Sequence, residues 1–232
     1  VNAMKPLGEV TILAPDRNWS GSGHVKTLHR PLRVRETTLI DGTPALMSDG
    51  APSDCVALAL LGRVAAKVDL VVSGINHGAN LGADVHYSGT VAAARESALR
   101  GIPSIAFSLL PRGDMAQAAD LAVDIAARLL ESPKPVDHAV LLNVNFPAGS
   151  AKGIRSTILG SRIYSEGVDV REDPRGREYY WIGGGGGVTH PTVAGSDTEA
   201  VDAGFVSVTP LSLHHTHVGH MGVANFVSQR RE

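Results

Sequence analysis

Residues 69 to 109, DLVVSGINHGANLGADVHYSGTVAAARESALRGIPSIAFSL, leave a chain few folds to choose from. Leu70-Val71-Val72 is a short apolar run that reads as a buried strand, and Ile105-Ala106-Phe107 reads the same way. Between them lie a loop rich in Gly and Asn and a helix that Ser88 can cap at its N-terminus. Strand, loop, helix and strand in that order make a crossover unit, whose ligands gather where strand ends meet the helix start. The loop supplies short amides (Asn76, Asn80), hydroxyls (Ser73, Ser88, Thr90) and glycines (Gly74, Gly78, Gly82, Gly89). Those glycines let backbone N–H groups approach an anion closely.

Between Val68 and Ala94 there is no Lys or Arg. A phosphate held here must therefore rely on backbone amides, the helix dipole and a metal ion rather than on side-chain cations. The stretch has no G-x-x-x-x-G-K-[ST] and no G-x-S-x-G, which sets aside a P-loop and an esterase elbow. It also lacks a G-x-G-x-x-G between strand and helix, which sets aside a dinucleotide-binding oxidoreductase. The residues point to metal-assisted phosphate chemistry. The alternative is a non-catalytic phosphate- or nucleotide-binding module that holds the anion on the same amides.

The flanks extend the unit. Val1 to Leu7 reads as the last turns of a helix stopped at Gly8, and a compact domain rarely begins mid-helix, so a preceding segment is expected. Glu9 to Ala14 is a parallel-type strand whose carboxyl end opens into the loop DRNWSGSGH. Leu32 to Ile40 and Ala45 to Ser48 read as strands, and a helix runs from about Cys55 to Ala65 with Ser53 or Asp54 as cap. Cys55 falls on that helix's apolar side and reads as a small buried hydrophobe. Asp114 to Glu131 has the apolar spacing of an amphipathic helix, and Ala139 to Phe146 is another buried strand. Aromatic residues are only 4 % of the chain, so the core must be aliphatic and Ala-rich.

The alternation of strands and helices predicts a three-layer α/β/α, Rossmann-like sandwich with mostly parallel strands and a C-terminal β-hairpin extension. The core is expected over residues 1–152 together with 196–210. Residues 153–195 and 211–232 are expected to form a hairpin and C-terminal segment that serves oligomerisation. In the hairpin, 162–171 and 177–182 flank the turn Asp173-Pro174-Arg175-Gly176, and Tyr179-Tyr180-Trp181 concentrates aromatics on one ribbon. A ribbon that cannot bury both faces packs on another subunit or covers the site mouth. Gly183 to Gly187 reads as a linker, Ser196 to Glu199 as the start of a short helix, and 205–210 as a last strand. The tail histidines His214, His215, His217 and His220 have no nearby Cys or carboxylate and read as exposed tail.

SGINHGANLG followed by YSGTVAAARESALRGIPSIAFS closely resembles the SurE family, the stationary-phase survival nucleotidases. The resemblance runs from about Gly8 to Leu211. It implies a metal-dependent phosphatase that hydrolyses nucleoside 5′- and 3′-monophosphates, with one divalent cation, Mg²⁺ or Mn²⁺. On this sequence it makes Ser20 and Asn76 metal ligands, and gives the phosphate to Asn80, Ser88, Gly89 and Thr90. It also implies an opening strand with an Asn-Asp-Asp-Gly motif. The paired acids are not among these residues and are expected ahead of Val1, so the catalytic residues stay unassigned. Ser and Asn alone are neutral oxygen donors and hold Mg²⁺ weakly. Swapped homodimers or homotetramers are a further implication. In the loop by themselves, Asn18, Ser20, Ser22, Asn76 and Asn80 are also ordinary turn formers.

A net charge of −2 implies no surface for long nucleic acids, and no apolar run approaches the ~20 residues that span a bilayer. A single cysteine excludes an intramolecular disulfide and suits a cytoplasmic protein.

Overall fold

The computed structural model describes residues 1–64, 67–133, 139–164, 167–182 and 187–228. The chain opens with a 3₁₀ turn, Asn2–Leu7, closed at Gly8. Then come β1 (Leu13–Pro15), which starts later than its apolar run suggests, β2 (Val34–Thr38), trimmed at both ends, and β3 (Pro44–Ser48), which begins one residue earlier than expected. Helix α1 (Pro52–Leu58) continues as a wider turn, Ala59–Arg63. It starts earlier than expected, and neither Ser53 nor Asp54 is its cap. Ala51 holds that position with Pro52 at N1, and the Asp54 carboxylate accepts from the Ala51 N–H at 2.9 Å from inside the first turn. Ser53 instead donates to the carbonyl of Val25.

The central unit follows as β4 (Val71–His77), α2 (Gly89–Ala98) and β5 (Ser104–Leu109). Next are α3 (Met115–Glu131), capped by Asp114, β6 (Leu141–Phe146) and β7 (Ile154–Ser156). The extension holds β8 (Ile163–Tyr164), β9 (Val168–Glu172), β10 (Glu178–Ile182) and β11 (Val188–Thr189). Helix α4 (Asp197–Asp202), capped by Ser196, β12 (Val206–Pro210) and α5 (Met221–Ser228) complete the chain.

The strands form one five-stranded sheet, in the order β4-β5-β6-β12-β7, and a separate three-stranded sheet, β1-β3-β2. Pairing is parallel from β4 to β5 to β6, antiparallel between β6 and β12, and parallel between β12 and β7. β7 thus adds an edge to the main sheet from beyond residue 152. β5 is buried along its whole length, which is why its six residues read as a continuous run without alternation.

The two faces of the sheet carry different cores. Ile105, Phe107, Leu109, Val144, Phe146 and Val206 face α3 and pack on its Ala118, Ala122, Ile125 and Ala126. Ala106 and Leu141 point the other way, onto Val91, Ala94 and Ala98 of α2 and onto Val85. That division is the period of two along each strand, and it makes the three-layer α/β/α, Rossmann-like architecture. Phe107 and Phe146 stack at 5.7 Å between ring centroids. The core is otherwise aliphatic.

β9 and β10 pair antiparallel around the Asp173–Gly176 turn, with Val170 opposite Tyr180. The Asp173 carboxylate accepts from the N–H groups of Arg175 and Arg177 and closes that turn. Every residue of both strands is exposed. Four residues of the glycine linker, 183–186, lie outside the described residues. Among the described residues, no helix is long and apolar enough to cross a membrane.

Candidate functional site

The site is built where β1 and β4 end and α2 begins. Ser88 has extended backbone, and its Oγ accepts from the Val91 N–H at 3.2 Å, the capping bond expected from the sequence. The amides of Gly89 and Thr90 donate to no protein acceptor among the described residues. The helix therefore offers two free N–H groups and the positive end of its dipole at one point. A methyl group on Gly89 would stand 3.2 Å from Pro52, 3.5 Å from the Trp19 carbonyl and 3.6 Å from Ser22 Oγ. A small residue there lets α1, the loop after β1 and α2 converge.

The loop after β1 is held from within. Asn18 Oδ1 accepts from the N–H of Ser20 at 2.8 Å and from its hydroxyl at 2.6 Å. That fixes Ser20 as the tip of a side-chain-closed turn and leaves the hydroxyl's lone pairs unused. Ser22 Oγ donates to the Trp19 carbonyl at 2.7 Å, and the Gly23 N–H donates to the Tyr87 carbonyl at 2.8 Å. Through these bonds the structure brings the Ser20 loop and the Ser88-Gly89-Thr90 turn together.

Asn76 stands in register with Ser108 of β5, near the carboxyl end of β4. Its Nδ2 donates to the Gly78 carbonyl at 3.0 Å, which leaves Oδ1 without a protein donor among the described residues. Gly74, two residues earlier in β4, has φ +116°, and a side chain there would meet the Phe107 carbonyl at 2.3 Å. Only glycine lets β4 lie so close to β5.

Asn80 is placed differently from its neighbours. It is buried, and its Nδ2 donates to Ser108 Oγ at 2.7 Å. Its N–H donates to Asn145 Oδ1 at 2.8 Å, and its carbonyl accepts from Asn143 Nδ2 at 2.8 Å and Asn145 Nδ2 at 3.1 Å. The loop is thus riveted to β6. Sequence reading passes over Asn143 and Asn145 because they sit inside an apolar strand. The signal is there in the alternation of LLNVNF, which puts both amides on one face.

Two buried acids, Asp197 and Asp84, serve the same loop. Asp197, fully buried, accepts from the Gly82 N–H at 2.9 Å and from the Gly160 N–H at 2.7 Å. Asp84 accepts from the Leu81 N–H at 3.3 Å and also binds Arg162 and Tyr164. The Tyr164 hydroxyl donates to it at 2.5 Å, and burial, the Asp84 hydrogen bond and its charge push that phenol up to about 12. These acids tie the extension to the turn that leads into α2.

Basic side chains around the site are mostly committed. His24, Lys26 and Arg100 all contact Glu96 of α2, while Arg17 stacks on Trp19 with its guanidinium carbon 4.7 Å from the ring centroid. Among the described residues no three His, Cys, Asp or Glu side chains are placed to hold a metal ion. Ser20 and Asn76 are donors of the right kind for a hard cation, but they are neutral and need a charged partner. In the tail, the rings of His217 and His220 stack at 3.8 Å between centroids.

A family model described as Survival protein SurE matches residues 1–166. The chain belongs to the SurE family. It is 52 % identical over 222 residues to the 5′-nucleotidase SurE of Herpetosiphon aurantiacus, covering 93 % of this chain and 86 % of that one. It is 49 % identical over 229 residues to the 5′-nucleotidase SurE of Sorangium cellulosum, covering 95 % and 85 %. A crystal structure of a SurE protein from Aquifex aeolicus superposes with a TM-score of 0.78 at 39 % identity, over 98 % of this chain and 92 % of that one. Family resemblance and fold therefore agree along the whole core.

Proposed function

We propose that this SurE protein is a metal-dependent phosphatase that hydrolyses nucleoside 5′- and 3′-monophosphates to nucleoside and phosphate. The observation that carries the reading is the start of α2, where two amides lack protein acceptors and onto which the loop that carries Ser20 is docked by the Gly23–Tyr87 bond. The relatives named 5′-nucleotidase SurE support the substrate class.

In this reading the N–H groups of Gly89 and Thr90 bond two phosphoryl oxygens, and the dipole of α2 offsets their charge. Ser88 keeps those amides in place through its cap, and Asn80 holds the loop at the depth the phosphate needs. Ser20 Oγ and Asn76 Oδ1 would hold a Mg²⁺ or Mn²⁺ ion together with an acidic pair of the kind the resemblance implies. When bound, such an ion polarises the phosphoryl oxygens and lowers the pKa of an attacking water. The exposed β9–β10 arm, with the tail, would join copies into a homodimer or homotetramer, and the one buried cysteine suits a cytoplasmic setting.

The test is phosphate release from 5′- and 3′-monophosphates with and without Mn²⁺. It is run on these 232 residues and on the same chain carrying an Asn-Asp-Asp-Gly strand ahead of Val1. Metal binding and turnover should rise together in the second protein. There, Asn76→Ala should weaken Mn²⁺ binding measured by calorimetry, and Thr90→Val should mainly weaken phosphate binding. Tight nucleotide binding with no turnover in either protein would replace the reading with a non-catalytic binding module.

A further inference from the structure

The cradle for a phosphate accounts for one end of a nucleotide and leaves open what meets the base. Most aromatic side chains are taken. Phe107 and Phe146 lie in the core, Phe205 lies under the Arg155 guanidinium, and Tyr164 bonds Asp84. The exposed aromatics of the arm and of α5 belong to elements outside the core. Tyr87 and Trp19 remain, and both adjoin the start of α2.

Tyr87 directly precedes the capping Ser88 and is 66 % exposed. Its hydroxyl has no hydrogen-bond partner among the described residues. Its backbone is anchored by contrast, since its carbonyl accepts from the Gly23 N–H at 2.8 Å. Gly23 has φ +62°, and a side chain there would come within 3.0 Å of the His86 carbonyl. The loop is therefore docked against Tyr87 by a contact only glycine makes. On the loop side, the Trp19 carbonyl faces Gly89, and the indole Nε1 is buried without a partner. Arg17 covers Trp19 and makes no ion pair among the described residues.

An exposed, backbone-anchored ring two and three residues from two free amides suits a flat apolar group attached to a phosphate. We infer that Tyr87 is the shelf on which the base of the substrate stacks, with the Arg17–Trp19 pair closing the other side of the cradle. This rests on the nucleoside monophosphate reading. Every base has a π-face, so such a shelf accepts purines and pyrimidines alike and supplies affinity without choosing among them.

The experiment compares KM for AMP, GMP, CMP and UMP with KM for ribose 5-phosphate, in the wild type, Tyr87→Ala and Tyr87→Phe, all in the protein carrying the acidic opening. A lost stack should raise KM for all four nucleotides by about 5- to 150-fold in Tyr87→Ala, while KM for ribose 5-phosphate stays within about twofold. Tyr87→Phe should behave as wild type. Equal losses on ribose 5-phosphate and nucleotides, no loss at all, or a Phe variant as weak as the Ala variant would each overturn the shelf. Calorimetric titration with adenosine gives a reading that needs no catalysis. If no phosphate ester is turned over, the phosphatase reading fails by itself. Adenosine binding that Tyr87→Ala abolishes would then keep the shelf, and binding that is absent or unchanged would reject it.

Discussion

Asn145 offers a quantitative test of the idea that the phosphate-side loop is riveted to the sheet. Its side chain is fully buried, accepts from the Asn80 N–H at 2.8 Å and donates to the Asn80 carbonyl at 3.1 Å. Asn145→Asp keeps the shape. Its protonated form can make both bonds, since the acid O–H donates where the amide did. Its ionised form sets a carboxylate oxygen against the Asn80 carbonyl in a site with no cation bonded to it. The folded protein should therefore keep that acid neutral, with its pKa raised above the ~3.9 of an unfolded aspartate. The sign follows: the unfolded chain sheds the proton first, so the variant loses stability as pH rises from about 4 to its folded-state pKa. Each pH unit in that window costs about 1.4 kcal/mol, so the deficit relative to wild type should grow by about 3 kcal/mol between pH 5 and pH 7. Asn145→Leu is the control. It strands the Asn80 N–H, costs about 1–3 kcal/mol and adds no pH dependence. Urea unfolding of the three proteins at pH 5, 6 and 7, read by far-UV circular dichroism, measures all of this. An Asn145→Asp protein that tracks wild type across the three pH values would refute the buried clamp.

Further tests address other parts of the molecule. Cys55 is 2 % exposed, and burial followed by the charge of Asp54 pushes its thiol up to about 12. A disulfide reagent at pH 8 should leave it unlabelled in the folded protein and label it fully in urea; rapid labelling without urea would show the packing of α1 to be wrong. On the arm, Tyr180 and Trp181 are 58 % and 60 % exposed. Light scattering at micromolar concentration should give the mass of two or four chains, and Tyr180→Glu with Trp181→Glu should give one; a wild-type monomer would remove the arm's proposed role.

What the sequence determined alone is what short range decides. The helix over Asp114 to Glu131 is legible because its apolar spacing is local, and α3 stands over Met115–Glu131 with Asp114 as its cap. Ser88 caps α2 for the same reason, with donor and acceptor three residues apart. Local reading misplaces the cap of α1, where Pro52 and Asp54 do from inside the helix what a polar cap would do from outside. The division into two sheets was not legible, because an apolar run states that a strand is buried and not which strand lies beside it. The rivets of the site were hidden for a stronger reason. Asn80 bonds Asn145 across 65 residues, and Gly82 bonds Asp197 across 115. A buried polar group must find its partner wherever the packed core brings one, and only the assembled tertiary structure decides which residue that is.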